Sequence, residues 1–230
     1  MERIENLDYN LKIYQNSALY TFTSDAVLLA KFAGVKASDT VVDLGTGSGI
    51  IALYLAKKTN AKKIYGVEIQ SPLAEMAKRS VELNNLQDRV EIVNMNMLAF
   101  KASADVVVCN PPYKKAGNIV NKSSSSAIAR HEVEIDLDKL ILTAKRLLKF
   151  GGKFYVSYDA NRSAELIYKL SKNGLEPKTM FFTQSSPDAD ASLVFIKAVL
   201  GGKPSVRVLK TLITNDKDGK YIENLKVEEG

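Results

Sequence analysis

The stretch VVDLGTGSGIIAL, residues 41–53, places three glycines at alternate positions between an apolar run and the start of a helical segment. Because Gly45, Gly47 and Gly49 carry no Cβ, a ligand can lie against the backbone of this turn, where the carboxyl end of a strand meets helix N–H groups. The spacing is G-x-G-x-G instead of the dinucleotide-binding G-x-G-x-x-G, and Asp43 precedes it by two residues. This pattern favours a ligand with an amino group over one with a pyrophosphate. The alternative interpretation is a plain glycine-rich turn.

On both sides of this turn, short β-branched runs alternate with helical segments, which is typical of βαβ units and a parallel sheet. Strands are predicted at 40–44, 64–68, 90–93, 105–109, 152–158, 178–183 and 192–199. Helices are predicted at 24–34, 50–58, 71–83, 164–170 and from 136 up to Gly151 and Gly152. The last two strands are joined by QSSPDADA, which is too short for a parallel crossover. We therefore predict a Rossmann-like α/β fold: a seven-stranded, mostly parallel sheet with one antiparallel strand and helices on both faces.

The chain of 230 residues suggests one core with an appendage. We predict a lead-in segment of helix and strand at 1–40 packed on a core at 41–202, followed by a two-stranded extension at 203–230 that turns at Asn215 to Gly219. A content of 46% hydrophobic and 25% charged residues excludes a disordered or collagen-like chain.

The single cysteine and single histidine exclude an internal disulfide and a multi-ligand zinc site, so no metal is expected. No apolar run approaches the roughly 18 residues of a membrane span, and the start MERIENLDYN carries acids where a signal peptide needs basic and apolar residues. We expect a cytoplasmic protein without a membrane partner, and a monomer.

The net charge of +6 comes from one part of the chain. Residues 1–100 hold 11 Lys+Arg and 11 Asp+Glu, whereas residues 101–230 hold 21 and 15. The cations concentrate in two stretches without acids, at Lys114, Lys115 and Lys122 and at Lys197, Lys203, Arg207 and Lys210. Such clusters suit a nucleic-acid phosphate backbone, although a solvated lysine surface is the alternative.

Two further strand ends carry polar side chains. Glu68 ends the second predicted core strand about 20 residues after the glycines, where an acid can accept both hydroxyls of an adenosine ribose. The third is followed by Asn94-Met95-Asn96-Met97, which is placed to hydrogen-bond a nucleobase edge. An ordinary strand-end charge is the alternative for Glu68 alone, but its position relative to the glycine turn favours ligand binding.

The motif Asn110-Pro111-Pro112-Tyr113 ends the fourth predicted core strand. Both prolines fix φ and neither donates an N–H, so the segment is at least a stiff turn. It also suits an exocyclic amine. If the Asn110 side-chain oxygen and the Pro111 carbonyl each accept one N–H, the nitrogen becomes more tetrahedral and its lone pair can aim at an incoming methyl group. Tyr113 would stack on the extruded base. Positioning and hydrogen bonding then carry catalysis without cysteine or histidine.

With these motifs, residues 20–200 resemble the class I S-adenosylmethionine-dependent methyltransferases, and NPPY resembles the amino-group N-methyltransferases among them. The chain is most similar to the bacterial family that methylates N6 of the adenosine 3′ of the anticodon in a valine-accepting tRNA. The similarity includes YTFTSDAVLLAKF near residue 20, ARHE at 129–132 and GGKPSVRVLK at 201–210. The resemblance implies that residues 41–202 are a methyltransferase core whose cofactor is S-adenosylmethionine and whose partner is tRNA.

The resemblance also implies roles for individual residues. Asp43 and the three glycines would face the methionine part of the donor, Glu68 its ribose, and residues 110–113 the target amine. The implied donor-binding set is Asp43, Gly45, Thr46, Gly47, Gly49, Glu68, Ile69, Asn96 and Met97. The family usually has an aspartate where Asn96 stands, and asparagine can still hydrogen-bond there. The RNA surface would comprise Lys114, Lys115, Lys122, Arg130, Lys203, Arg207 and Lys210, although Arg130, with His131 and Glu132, equally fits a helix start.

Two other functions fit parts of this pattern. NPPY can grip any planar NH2, so a protein glutamine N5-methyltransferase of the release-factor type is one alternative. Those enzymes resemble this chain but carry a sizeable helical domain before the glycine turn, where only 40 residues precede Val41 here. The other is a catalytically silent RNA-binding module, against which the intact NPPY argues.

Overall fold

The computed structural model describes residues 2–19, 21–112, 136–222 and 225–228. The strands are β1 (Glu2–Leu7), β2 (Leu11–Asn16), β3 (Thr40–Leu44), β4 (Lys63–Glu68), β5 (Val90–Asn94), β6 (Ala104–Cys109), β7 (Leu148–Asp159), β8 (Leu175–Gln184), β9 (Leu193–Leu200), β10 (Arg207–Val208) and β11 (Leu212–Ile213). The helices are α1 (Ser24–Phe32), α2 (Ile50–Lys58), α3 (Ser71–Leu83), α4 (Leu137–Leu147) and α5 (Ser163–Lys172), with short 3-10 turns at Asp8–Asn10 and Ala160–Arg162.

The described strands β3 to β11 form one sheet in the order β10-β8-β9-β7-β6-β3-β4-β5, with β11 pairing to β8 as well. Within the part that the structure describes, β9 alone runs antiparallel to its neighbours, β7 and β8. The predicted Rossmann-like α/β fold with one reversed strand is confirmed. The seven predicted strands are present, and the two short strands β10 and β11 extend the sheet beyond them.

Each face of the sheet has its own apolar core, because alternate strand residues point to opposite faces. On β3, Val41 packs with α1, α2 and α3, whereas Val42 packs with α4 and α5. On β6, Val108 packs on the same side as Val41, and Val107 packs on the same side as Val42. Such doubly covered strands are apolar throughout, which leaves the strand ends for polar side chains.

The first described residues form a hairpin of β1 and β2 that packs on α3. Leu11 and Ile13 of β2 are fully buried in the core. Asn84 at the end of α3 accepts from the Lys12 backbone N–H at 3.0 Å, and the Ser80 hydroxyl accepts from the Tyr14 backbone N–H at the same distance. The sequence indicated helix and strand before the core without indicating this hairpin.

The boundary between helix α4 and strand β7 differs from the predicted one. Helix α4 ends at Leu147 and β7 begins at Leu148, so Gly151 and Gly152 lie inside the strand instead of ending the helix. The reason is an irregularity in the pairing with β6, where the register shifts between Ala104 and Val106. Gly151 has a φ of +77° there, and a Cβ on Gly152 would lie 2.8 Å from the Lys149 carbonyl oxygen, so both positions require glycine.

The segment predicted as a two-stranded ribbon pairs differently. Strands β10 and β11 both run parallel to β8 instead of pairing with each other. Only an isolated antiparallel bridge between Asn215 and Tyr221 closes the predicted turn, as far as the described residues go. The outer edge of β8 offers unpaired backbone groups, and pairing there satisfies them.

Candidate active site

The carboxyl ends of β6, β3, β4 and β5 meet at one edge of the sheet. Leu44 at the end of β3 is paired with Cys109 at the end of β6, so Gly45 and Asn110 are the next residues on adjacent strands. Glu68 at the end of β4 is likewise paired with Asn94 at the end of β5. Parallel pairing therefore brings the glycine turn, Glu68 and Asn110 to the same edge.

The glycine turn is held to β4 by its own backbone. The N–H groups of Gly45 and Thr46 donate to the Val67 carbonyl oxygen at 2.9 and 3.1 Å, and the N–H of Gly47 donates to Glu68 Oε2 at 2.9 Å. Gly45 has a φ of +70°, and a Cβ built on it would meet no atom within 4 Å. The turn therefore presents bare backbone to open space at this position.

Asp43 is fully buried beside this turn. Its Oδ2 accepts a hydrogen bond from the Thr46 hydroxyl at 2.5 Å. Burial raises the pKa of Asp43 to about 7, the Thr46 hydroxyl and the Ala52 backbone N–H lower it, and the Glu68 charge raises it. Asp43 thus braces the turn from inside the protein, and it is a weaker acid than an exposed aspartate.

Glu68 combines a structural and a binding capacity. Its Oε2 accepts from the Gly47 N–H and its Oε1 from the Gln70 N–H, both at 2.9 Å. Burial raises the pKa of Glu68, while the backbone N–H groups of Gln70, Gly47 and Ile69 lower it. Each carboxylate oxygen can accept more than one hydrogen bond, so both can still receive a hydroxyl from a ligand.

Two buried polar atoms at the turn have no partner among the described residues. They are Asp43 Oδ1 and Ser48 Oγ, and Ser48 is 1% exposed. Buried polar groups are almost always hydrogen-bonded, so orphaned atoms beside an open glycine backbone fit a polar ligand group. The residues present therefore fit a bound donor with an amino acid part and a ribose.

The loop after β5 carries the predicted Asn96 and Met97. Asn96 is exposed, its Oδ1 accepts from the Leu98 N–H at 2.9 Å, and Met97 is half-buried. Apolar side chains are unusually open at this edge: Ile69 is 50% and Leu98 48% exposed. Exposed apolar side chains beside a strand-end acid suit the faces of an aromatic base.

An arginine that sequence reasoning missed holds this loop in place. The Arg146 guanidinium on α4 donates to the carbonyl oxygens of Phe100 at 2.7 Å and of Met97 and Leu98 at 3.3 Å. In the sequence, Arg146 lies on a helical segment about 50 residues away, and no local signal connects it with the loop. Leu98 was missed for the same reason.

Asn110 and Pro111 lie at the end of β6, beside the glycine turn. Asn110 is half-buried, Pro111 is buried and Pro112 is exposed. The fully buried hydroxyl of Ser157 on β7 donates to Asn110 Oδ1 at 2.6 Å, so Ser157 is a third site residue that sequence reasoning missed. Its neighbour Val156 pairs with Cys109, which puts Ser157 beside Asn110. The signal was only a lone serine in an apolar strand.

Of the other predicted residues, the structure describes only Lys203, Arg207 and Lys210, and these three do not lie at this edge. Tyr113, Lys114, Lys115, Lys122 and Arg130 lie outside the described residues, as does His131. Arg207 on β10 pairs with the middle of β8, opposite Thr179, and forms an ion pair with Glu228 at 2.8 Å. Lys203 and Lys210 are exposed on either side of β10. Binding of RNA by these three cations stays a prediction.

In the described ranges, no group of three or more His, Cys, Asp or Glu side chains is arranged to hold a metal ion. In the same ranges, no helix is both long and apolar enough to cross a membrane.

Residues 23–173 match the methyltransferase small domain family. Two tRNA1(Val) (adenine(37)-N6)-methyltransferases are similar over most of the chain: one from Phocaeicola vulgatus at 30% identity, covering 80% of this chain and 79% of the relative, and one from Bacteroides thetaiotaomicron at 32%, covering 70% and 74%. Among solved structures, a predicted O-methyltransferase from Agrobacterium tumefaciens has a TM-score of 0.65 at 20% identity, covering 86% of this chain and 91% of that one. That likeness shows the fold alone.

Proposed function

This chain belongs to the methyltransferase small domain family and to the family of tRNA1(Val) (adenine(37)-N6)-methyltransferases, and from that membership we propose that it transfers a methyl group from S-adenosylmethionine to N6 of adenosine 37 in a valine tRNA.

The glycine turn and the ends of β4 and β5 would hold the donor. S-adenosylmethionine supplies an electrophilic methyl group on a sulfonium centre. The orphaned Ser48 hydroxyl and the bare backbone at Gly45 suit its amino acid part, and Glu68 suits the two ribose hydroxyls. The exposed apolar Ile69, with Met97, would cover the adenine ring. Asp43 and Thr46 keep the turn in shape through their hydrogen bond, and the orphaned Asp43 Oδ1 suits the same amino acid part of the donor.

Asn110 and Pro111 would hold the target amine. Asn110 Oδ1 and the Pro111 carbonyl oxygen would each accept one N–H, which would free the nitrogen lone pair from the adenine ring for attack on the methyl group. The N6–carbon bond would form as the methyl–sulfur bond breaks, S-adenosylhomocysteine would leave, and the surplus N6 proton would pass to water. A carbonyl oxygen has two lone pairs, so Oδ1 can accept from Ser157 and from the amine together. The reaction needs no metal in this scheme, because orientation of the amine and hydrogen bonding to it lower the barrier to methyl transfer. We propose that Tyr113 stacks on the base and that Pro112 stiffens the turn.

The observation that carries the proposal is the pairing of Leu44 with Cys109, which places the glycine turn and Asn110 on adjacent strand ends. Its test is transfer of labelled methyl from S-adenosylmethionine to a valine tRNA transcript, followed by mapping of the modified nucleotide. We expect N6-methyladenosine at position 37. Label in a protein glutamine instead would support the release-factor type of activity, and absence of transfer to any substrate would contradict the proposal.

The matched variant is Asn110→Ala. We expect turnover to fall by about a hundredfold or more, because the amine loses an acceptor in the transition state. Affinity for the donor, measured by calorimetry, should stay within a few fold, because Asn110 does not hold the donor. Unchanged turnover would remove Asn110 from this role.

A further inference from the structure

Three half-buried lysines lie on the adjacent strands β7, β8 and β9, outside the set of candidate active-site residues. Lys153 on β7 is paired with Val199, and Lys197 on β9 is paired with Tyr155, so the two lysines are diagonal neighbours on one face of the sheet. Lys178 lies at the irregularity in the pairing of β8 with β9, next to Thr179, which is opposite Lys197. All three side chains are partly covered by protein.

No carboxylate in the described part of the chain forms an ion pair with any of these lysines. Lys153 donates to the Gly34 carbonyl oxygen at 3.2 Å and Lys178 to the Lys203 carbonyl oxygen at 3.0 Å, while Lys197 has no hydrogen-bond partner there. Glu176 is paired with Val199 nearby but makes no ion pair with them. Partial burial, with repulsion from Lys153 and Lys178, lowers the pKa of Lys197.

This arrangement is costly for the folded protein. Charged groups lose hydration when they are covered, and like charges at short distance repel. Proteins normally compensate covered lysines with a nearby carboxylate. Among the described residues, no carboxylate forms such an ion pair with these three lysines. The lysines can be relieved instead by an anion from outside, such as a phosphate.

An exposed aromatic ring lies three residues before Lys153 on β7. Phe150 on β7 is 86% exposed, more than any other large apolar side chain of the described residues. A Cβ on Gly201 would lie 2.2 Å from the Phe150 ring, so the ring rests on glycine backbone. Gly201 stands two residues before Lys203, whose carbonyl oxygen holds Lys178. Aromatic rings beside cations are the usual elements of single-stranded nucleic-acid binding.

We propose that Phe150, Lys153, Lys178 and Lys197 form a second tRNA contact, in which the lysines bind backbone phosphates and Phe150 stacks on an unpaired base. This proposal rests on the proposed function, because it assumes that tRNA is the substrate. We name these four residues the distal surface. It extends the predicted basic cluster, which already includes Lys197 and Lys203, by Phe150, Lys153 and Lys178, which the charge pattern alone did not indicate.

The distal surface leads away from the candidate active site along β7. Ser157, beside Asn110, is four residues from Lys153 and seven from Phe150, or roughly 13 and 23 Å at about 3.3 Å per residue. With a nucleotide held at Asn110, the far end of the surface at Phe150 therefore meets an unpaired base outside the anticodon loop of the same tRNA. A short anticodon stem-loop would lose that part of the contact.

The experiment uses the full chain with Lys153→Gln, Lys178→Gln and Lys197→Gln combined. Fluorescence anisotropy measures the affinity for full-length valine tRNA and for its isolated anticodon stem-loop at several salt concentrations. We expect at least tenfold weaker binding of full-length tRNA, a smaller loss for the stem-loop, and a slope of log affinity against log salt that is smaller by about two. Phe150→Ala should weaken full-length tRNA binding several-fold with the slope unchanged, since stacking releases no counterion.

The matched control combines Lys12→Gln, Lys57→Gln and Lys145→Gln, which remove the same charge elsewhere. We expect this control to lose less than threefold affinity. Equal losses for both triple variants, or an equal loss for tRNA and stem-loop, would overturn the distal surface. Folding is checked by thermal unfolding: removal of the mutual repulsion should leave the midpoint unchanged or higher. Failure of the wild-type chain to methylate tRNA would count against the proposed function, whereas the distal surface is judged by tRNA affinity alone.

Discussion

The hydrogen bond from Ser157 to Asn110 joins two strands at the point where the target amine would bind. Asn110 Oδ1 accepts a hydrogen bond from the buried Ser157 hydroxyl at 2.6 Å. This bond holds the amide in one rotamer and fixes the direction of Oδ1. Ser157 is therefore a positioning residue that acts through Asn110. Its importance follows from the pairing of β6 and β7 and not from any motif around it.

Ser157→Ala tests this role. We expect kcat for tRNA methylation to fall about tenfold, equivalent to about 1.4 kcal/mol, with little change in donor affinity. Steady-state kinetics with saturating donor separates kcat from KM. The control is Ser80→Ala, which removes another fully buried hydroxyl, one that contacts β2 instead of the site. An equal loss of kcat in both variants would reduce Ser157 to a structural residue.

Asp43 predicts a dependence of stability on pH. Burial raises its pKa from the usual 3.8 to about 7. Between these values the unfolded chain has Asp43 ionised while the folded protein keeps it protonated, so the folded state binds more protons and the free energy of unfolding falls as pH rises. Below pH 3.8 this contribution is absent, and above pH 7 the loss is complete.

Asp43→Asn removes that titration while keeping an acceptor for Thr46. Relative to the wild type, the free energy of unfolding of the variant should rise between pH 4.5 and 7.5 by on the order of 2 kcal/mol. Urea unfolding at several pH values measures the difference. A difference that is constant across this range would show that Asp43 is ionised throughout.

Helix α4 contacts the donor side of the site through one side chain, that of Arg146. Arg146 ties α4 to the loop between β5 and β6, which carries Asn96 and Met97. The loop makes few backbone hydrogen bonds of its own, so this clamp sets the position of its apolar side chains. The helix itself is short and amphipathic, and its N-cap Asp136 accepts from the Asp138 N–H at 2.9 Å.

Arg146→Ala should therefore weaken donor binding about three- to tenfold, because the loop must be ordered when the donor binds. Calorimetric titration with S-adenosylmethionine measures the affinity, and Lys145→Ala on the same helix is the control. Turnover at saturating donor should change little. Donor affinity equal to that of the wild type would mean that the loop is held without Arg146.

Strands β10 and β11, near the end of the described chain, complete the sheet. Strands β10 and β11 cover the outer edge of β8, and Leu209, Leu212, Leu225 and Val227 pack against the core on the α1 side. An uncovered edge strand of ten residues would invite pairing between molecules. The extension thus stabilises and protects the core, and carries Arg207 at the same time.

A chain that ends after Lys203 should unfold several degrees below the wild type and aggregate at micromolar concentration. A chain that ends after Ile222 keeps both strands, and its unfolding temperature should lie between those of the shorter chain and the wild type. Differential scanning calorimetry and light scattering give the order. If the shorter chain were as stable and as monodisperse as the wild type, the edge would need no cover.

Local patterns were enough for most of the architecture. Alternation of apolar runs with helical spacing predicted the strands and helices of the core, because each element buries a periodic face that is visible in its own residues. The glycine turn, Glu68 and Asn110 were predicted to lie at one edge because strand ends in a parallel sheet converge by geometry alone. The short loop between β8 and β9 predicted the reversed strand in the same way.

Contacts between distant residues were beyond those patterns. Ser157, Arg146 and the distal surface depend on which strands and helices become neighbours, and so does the pairing of the final segment with β8 instead of with itself. A serine in an apolar strand or a lysine in a basic stretch has the same local sequence signal whether it meets a partner or solvent. Burial and hydrogen-bond partners are decided only when the sheet assembles. The sequence alone therefore determined which polar residues stand at the strand ends, whereas the tertiary structure decided which distant residues hold them in place.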